Sequence, residues 1–227
     1  MKAVVFDFDG TLTKKNNEIW GKMWKAIDAC DVDYLLYKKY ASGEINYKQW
    51  CEEIEKEYIK HGFNEEILYK IANEIQLMDN LDKTLKILKE QGYKLFIISG
   101  GVDKIIYNKL GTMVDYFDEI HACEFEFDNN GLLKHIEDTE YDEEGKKIFI
   151  DEYCLKNNES PQNITFIGNG DNDEYVYLSG CRTICINPQK KTNYENREIW
   201  NIVINDTEDM LDILKYFNIV ENFKLNK

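Results

Sequence analysis

The chain has 227 residues, 43% of them hydrophobic and 13% aromatic, which is enough to bury a substantial core and excludes a disordered polymer. Its formal charge of −15, with arginine only at Arg182 and Arg197, argues against a nucleic-acid surface, because phosphate backbones demand clustered Lys and Arg. No apolar run approaches the roughly 18 residues of a membrane helix, and Met1-Lys2 leads directly into an apolar segment, so the expectation is a cytoplasmic protein with neither signal peptide nor membrane contact.

Val4-Val5-Phe6 reads as a strand buried on both faces, and it delivers Asp7 and Asp9 to its carboxyl end. In open α/β sheets, ligands bind at that edge. With one residue between them, the two carboxylates would point to opposite faces of a straight strand. A bend beginning at Asp9, which Gly10 permits, lets both address one substrate. Two carboxylates and a glycine in this position are how a metal-dependent phosphoryl-transfer site begins.

From about residue 16 to 77 the periodicity is helical. Ile19, Trp20, Met23, Trp24 and Ile27 form one apolar stripe; Tyr47, Trp50, Cys51, Ile54 and Tyr58 form a second; Ile67, Leu68, Ile71, Ala72 and Ile75 form a third. Trp20, Trp24 and Trp50 fill the core of a small helical bundle or, alternatively, present an aromatic wall to a substrate. The expected division is an α/β core over 1–14 and 79–227, with a helical cap over 15–78.

A helix carrying Leu81, Leu85 and Leu88 stops at Gly92, and the following strand through Ile98 ends at Ser99-Gly100-Gly101. Ile105, Ile106 and Leu110 mark another helix. Glu124 to Phe127 alternates strictly, and Asn130-Gly131 turns the chain back through Ile136 as an acidic hairpin. A helix from about Lys146 to Lys156 precedes a buried strand, Ile164 to Ile167, closed by Gly168-Asn169-Gly170-Asp171-Asn172-Asp173. Thr183 to Ile186 and Ile202 to Ile204 read as short strands, and a final helix capped by Asp206 carries Met210, Leu211, Leu214 and Phe217. Strands separated by helices predict an α/β, doubly wound, mostly parallel sheet. Six cysteines without a CxxC pair suit reduced, mostly buried thiols, and His61, His121 and His135 fall at surface or hairpin positions.

Three polar clusters, Asp7/Asp9, Ser99 and Asn169/Asp173, thus lie just past the ends of buried strands, which share one edge in a parallel sheet. In this arrangement the chain resembles the haloacid dehalogenase superfamily of phosphatases, above all its phosphoserine phosphatase-like branch. Phe6 to Thr13 is similar to the family's first motif, Ile98-Ser99-Gly100-Gly101 to its second, Lys146 to its third and Gly168 to Asp173 to its fourth. Lys146 is preferred to Lys147 because it shares the family's K-x-x-x-aliphatic pattern with Ile150. The helical segment matches the position of that branch's cap, and the acidic hairpin resembles its smaller flap.

The resemblance implies a hydrolase acting on phosphoric monoesters of a small phosphorylated metabolite. Asp7 would attack phosphorus to form an aspartyl-phosphate, and Asp9 would protonate the leaving alkoxide and then activate water. Ser99, Gly10, Gly100, Gly101, Lys146 and Asn172 would hold the phosphate. Mg²⁺ would be bound by Asp7, Asp9 through its carbonyl, Asn169 and Asp173.

Two departures from the family pattern stand out. Asn169 occupies the usual place of a metal-binding aspartate, and it removes one negative charge. An active enzyme with a raised metal requirement is the first reading, and a catalytically weak protein that binds a phosphorylated ligand or partner is the second. In the cap, the branch's substrate-gripping glutamate is matched by Asn16, with Glu18 nearby, and its arginine position falls near Ile54. Phosphoserine is therefore a poor substrate candidate, and a neutral or cationic phosphomonoester suits the aromatics better.

Overall fold

The computed structural model describes residues 2–15 and 19–217. The first apolar run is β1 (Ala3–Phe6), with every residue buried. Four helices follow: α1 (Ile19–Ala26), α2 (Cys30–Ala41), α3 (Tyr47–Lys60) and α4 (Glu65–Glu74). The chain returns through α5 (Leu81–Glu90), β2 (Lys94–Val102) and α6 (Asp103–Leu110) to a hairpin of β3 (Glu119–Phe127) and β4 (Leu133–Glu137). It ends with α7 (Glu144–Asn157), β5 (Ile164–Gly168), β6 (Arg182–Ile186) and β7 (Ile202–Ile204).

Among the described residues these strands form a seven-stranded sheet in the order β4-β3-β2-β1-β5-β6-β7, parallel except for β3 against β4. This is the α/β, mostly parallel, doubly wound arrangement expected. Side chains alternate between its faces. Val4, Phe6, Leu95 and Ile97 join the core beneath α5, α6 and the inserted helices, whereas Ala3, Val5, Phe96 and Ile98 meet Phe149 and Ile150 of α7. With β1 flanked by β2 and β5, the three strand ends that carry polar clusters are direct neighbours.

Local chemistry starts the inserted helices where it is strongest. Asn46 and Gln49 form a reciprocal capping box at α3, and the Asn64 side chain accepts from Ile67 N at the start of α4. The three apolar stripes fall on α1, α3 and α4. The fourth helix, α2, has no stripe to announce it, since only Leu36 of it is buried. Ile54 is fully buried in the core, and Asn16 and Glu18 lie outside the described residues.

Three other expectations are corrected. β2 continues through Ser99-Gly100-Gly101 to Val102, with its register against β3 slipping between Ile98 and Val102. β3 begins at Glu119, pairing first with β2 and then with β4. The last helix is a 3-10 turn, Met210–Tyr216, capped by Asp209 accepting from Leu211 N; Asp206 sits instead at φ +52°. The six cysteines are free thiols, four of them buried. No helix among the described residues is long and apolar enough to cross a membrane.

The inserted helices are tied to the hairpin. Glu65 N donates to Gly131 O and Leu133 N to Phe63 O, both at 2.9 Å, while Glu55 of α3 accepts from Ile136 N at 2.6 Å. His135 lies between Glu137 at 3.1 Å and Glu55 at 2.6 Å, and hydrogen bonding to these two carboxylates, Glu137 first, raises its pKa. A raised folded-state pKa means the protonated ring stabilises fully below the ordinary value of about 6.5, and that stabilisation is lost as pH rises through the folded value. The stability gap between wild type and His135→Gln, measured by urea unfolding, should therefore be widest near pH ~6 and narrow towards pH ~9. A gap constant across that range would contradict the pairing.

Candidate active site

The turn after β1 brings its two carboxylates to one side. Phe8 O accepts from the amides of Thr11, Leu12 and Thr13, and Gly10 N donates to Thr13 Oγ1 at 2.8 Å. Gly10 is required twice over. Its φ is +78°, and a Cβ there would lie 2.2 Å from Asn169 Nδ2.

Lys146, fully buried near the start of α7, draws the strand ends together. Its Nζ lies 2.6 Å from Asp173 Oδ1, 3.1 Å from Asp7 Oδ1 and 3.6 Å from Asp142 Oδ1. Burial alone would drive its pKa down, but Asp173, Asp7 and Asp142 together hold it above the ordinary lysine range. Burial pushes Asp7 up to about 7, with Lys146 opposing the shift and Asp173 adding to it. Asp9 is raised well above the carboxylate range by burial and then by Asp7, and its Oδ1 is buried without a hydrogen-bond partner.

The second cluster adjoins Asp9. Ser99 is buried, and its Oγ accepts from Gly101 N at 3.1 Å. A Cβ on Gly101 would come within 3.0 Å of Asp9 Oδ2 and 3.1 Å of Ser99 Oγ, so this glycine lets the segment lie against Asp9. A Cβ on Gly100 would likewise meet Asp142, its Oδ2 only 2.3 Å away. Gly100 O accepts the indole N–H of Trp20 at 3.1 Å.

In the fourth motif Asp173 ties the buried lysine to its own loop. Its Oδ1 meets Lys146, and its Oδ2 accepts from Asn169 N at 2.8 Å and Gly170 N at 2.9 Å, which makes it the anchor of both the lysine and the loop. Asn169 is buried, held by Gln189 N and Thr192 Oγ1 on its carbonyl, each at 2.9 Å. Asn172, expected at the phosphate, donates to Asp142 Oδ1 at 3.0 Å. Asp142 is the residue that sequence reasoning missed. Its signal was present, four residues before Lys146, but it sits in an acidic run of the kind that ordinarily decorates a helix start.

Oxygen donors suited to a hard divalent cation face one another here. Thr11 Oγ1 lies 3.4 Å from Asp7 Oδ2 and 3.5 Å from Asn169 Oδ1, so these two oxygens share a neighbourhood and neither is saturated. A buried carboxylate with a raised pKa and an orphaned Asp9 oxygen beside it fit added positive charge.

The chain matches a protein-family model described as haloacid dehalogenase-like hydrolase over residues 1–174. A relative named phosphoserine phosphatase from Archaeoglobus fulgidus is 29% identical over 178 residues, covering 77% of this chain and 49% of the relative, so the chain spans about half that protein's length. A second of the same name, from Methanocaldococcus jannaschii, is 23% identical over 217 residues, covering 95% of this chain and 97% of the relative. The fold is shared with a solved haloacid dehalogenase family hydrolase from Salmonella enterica serovar Typhi, with a TM-score of 0.76 at 19% identity over 97% of this chain and 72% of that one. It is shared too with a phospho-aspartyl intermediate analogue of phosphoserine phosphatase, with a TM-score of 0.70 at 22% identity over 95% and 98% of the two chains.

Removing the lysine leaves buried carboxylates uncompensated. Lys146→Met should lower the unfolding free energy by about 3–5 kcal/mol in urea denaturation. A loss under about 1 kcal/mol would show that the ammonium does not hold the strand ends together.

Proposed function

The chain belongs to the haloacid dehalogenase-like hydrolase family, and we propose that it hydrolyses a small phosphomonoester through an aspartyl-phosphate on Asp7. The observation that carries this reading is the joining of Asp7, Lys146 and Asp173 by one buried ion cluster, with Asp9 and Ser99 alongside. The names of its curated relatives agree with phosphate-ester chemistry.

In the first half-reaction an Asp7 oxygen forms a bond to phosphorus as the ester P–O bond breaks, and Asp9 gives its proton to the departing alkoxide. Burial and the neighbouring Asp7 raise the pKa of Asp9, which favours the protonated form that a general acid needs. In the second, Asp9 takes a proton from water as the water oxygen attacks phosphorus, and Asp7 is released as a carboxylate with inorganic phosphate. Lys146 holds the nucleophile and places positive charge beside the phosphoryl oxygens, and Ser99 with the Gly100-Gly101 amides binds them. Asp7, the Asp9 carbonyl and Asn169 would hold Mg²⁺, which when bound supplies neutralisation of phosphoryl charge. Helices of 15–78 act as a cap over a core of 1–14 and 79–227, a division supported by the Trp20 bond to Gly100 and by the burial of the site.

Asn169 favours a second reading, binding of a phosphorylated ligand with little turnover, because an amide brings no charge to the metal. Hydrolysis of an aryl phosphate with Mg²⁺ separates the two. Asp7→Asn should lose activity by at least ~1,000-fold; a wild type no faster than this variant would make binding the function. Asn169→Asp should lower the Mg²⁺ concentration for half-maximal rate by about tenfold, and equal half-saturation would remove the argument that the amide weakens metal binding.

A further inference from the structure

The inserted helices bring a ring cluster to the edge of the phosphate-binding segment. Tyr40 stacks on Trp50 at 5.5 Å, Tyr47 and Trp20 lie 5.9 and 6.0 Å from Trp50, and Tyr40 is 6.4 Å from Tyr47. Rings in such contact would be expected to exclude water, yet all four are only half-buried and keep some of their surface open. The Trp20 indole N–H to Gly100 O fixes the cluster against the part of β2 that carries Ser99. Trp50 Nε1 is buried with no hydrogen-bond partner, so this ring is held by its faces alone.

Acidic groups border the rings. Asp142 lies 3.6 Å from Lys146, and the Glu143 carboxylate is close enough to the Tyr40 hydroxyl to help raise its pKa. Burial raises the Tyr40 and Tyr47 hydroxyls well above the ordinary tyrosine range, and Asp142 adds to both shifts as it does to those of Asp7 and Asp9. Asp142 packs against Gly100, whose carbonyl accepts the Trp20 indole N–H, and lies near Lys146, so it borders both the rings and the buried ion cluster. Lys146 is shared with Asp7 and Asp173, the segment 16–77 contains no arginine, and Lys22, Lys56 and Lys60 of that segment pair with glutamates on their own helices or neighbours. Partly exposed aromatic rings bordered by carboxylates attract a cation and repel an anion.

We propose that the ester hydrolysed at this site carries an alkylammonium group on its alcohol side, seated against Trp20, Tyr40, Tyr47 and Trp50 with Asp142 and Glu143 at its border. This rests on the phosphomonoesterase reading above. Its products are inorganic phosphate and the free amino alcohol, the alkoxide having taken its proton from Asp9.

The test compares kcat/KM with Mg²⁺ for phosphocholine, for neohexyl phosphate as its uncharged carbon isostere, for phosphoserine and for p-nitrophenyl phosphate. Phosphocholine should exceed the isostere by about tenfold, the size expected of cation–π contacts shielded from water, and phosphoserine should fall below both. Trp50→Leu should bring the phosphocholine-to-isostere ratio close to one, mainly through KM, while Trp50→Phe retains most of it. Turnover of p-nitrophenyl phosphate with the isostere equal to phosphocholine, or with phosphoserine ranking first, overturns the inference and leaves the phosphatase reading intact. If no ester is turned over, the phosphatase reading fails. Tryptophan-fluorescence titration of wild type then decides the inference directly: tighter binding of phosphocholine than of neohexyl phosphate upholds it, and equal binding ends it.

Discussion

One buried ammonium, that of Lys146, organises this molecule's sheet edge. It meets carboxylates from the turn after β1, the loop before α7 and the loop after β5, three segments far apart in sequence. Withdrawing a lysine fully from water is costly, and only several acids at hydrogen-bonding range offset that cost. The same arrangement imposes a chemical state: burial first, and then neighbouring carboxylates, hold Asp7 and Asp9 above the usual carboxylate range against the opposing pull of Lys146. The lysine thus secures the scaffold, while burial and the crowding of acids around it set the chemical state of the carboxylates.

Close backbone approach is the second constraint. Gly10 lets Asn169 pack against the first turn, Gly100 admits Asp142, and Gly101 admits Asp9. A side chain at any of these positions would push apart clusters that the lysine joins. The glycines thus set distances that hydrogen bonds alone would not enforce.

Much of this was legible in the chain. Val4 to Phe6, Tyr93 to Ile98 and Ile164 to Ile167 were legible because central parallel strands are apolar on both faces, and Asp7, Asp9 and Ser99 followed from their place beside those apolar runs, whereas Lys146, on a helix, was found only through the resemblance to the family's third motif. What escaped had weak local signals or was decided by tertiary contact. α2 buries little besides Leu36, so it has no apolar stripe to detect. β3 changes partner midway, from β2 to β4, which no pattern in Glu124 to Phe127 could reveal. The bonds of Asp173 to Lys146 and to the amides of Asn169 and Gly170 form only when the loop closes, which no local pattern shows. Asp142 is acidic among acidic neighbours, and only the fold distinguishes it from Glu143 and Glu144.

The hairpin border has a consequence of its own. An outermost strand with free amides invites another molecule to extend the sheet, and β4 would be such a template. Here Leu133 N is taken by Phe63 O and Ile136 N by the Glu55 side chain, while Glu126 and Glu137 add negative charge nearby. The inserted helices that bond to this hairpin therefore shield the β4 edge of the sheet against edge-to-edge polymerisation, so protection from self-association at that edge comes from the insertion itself.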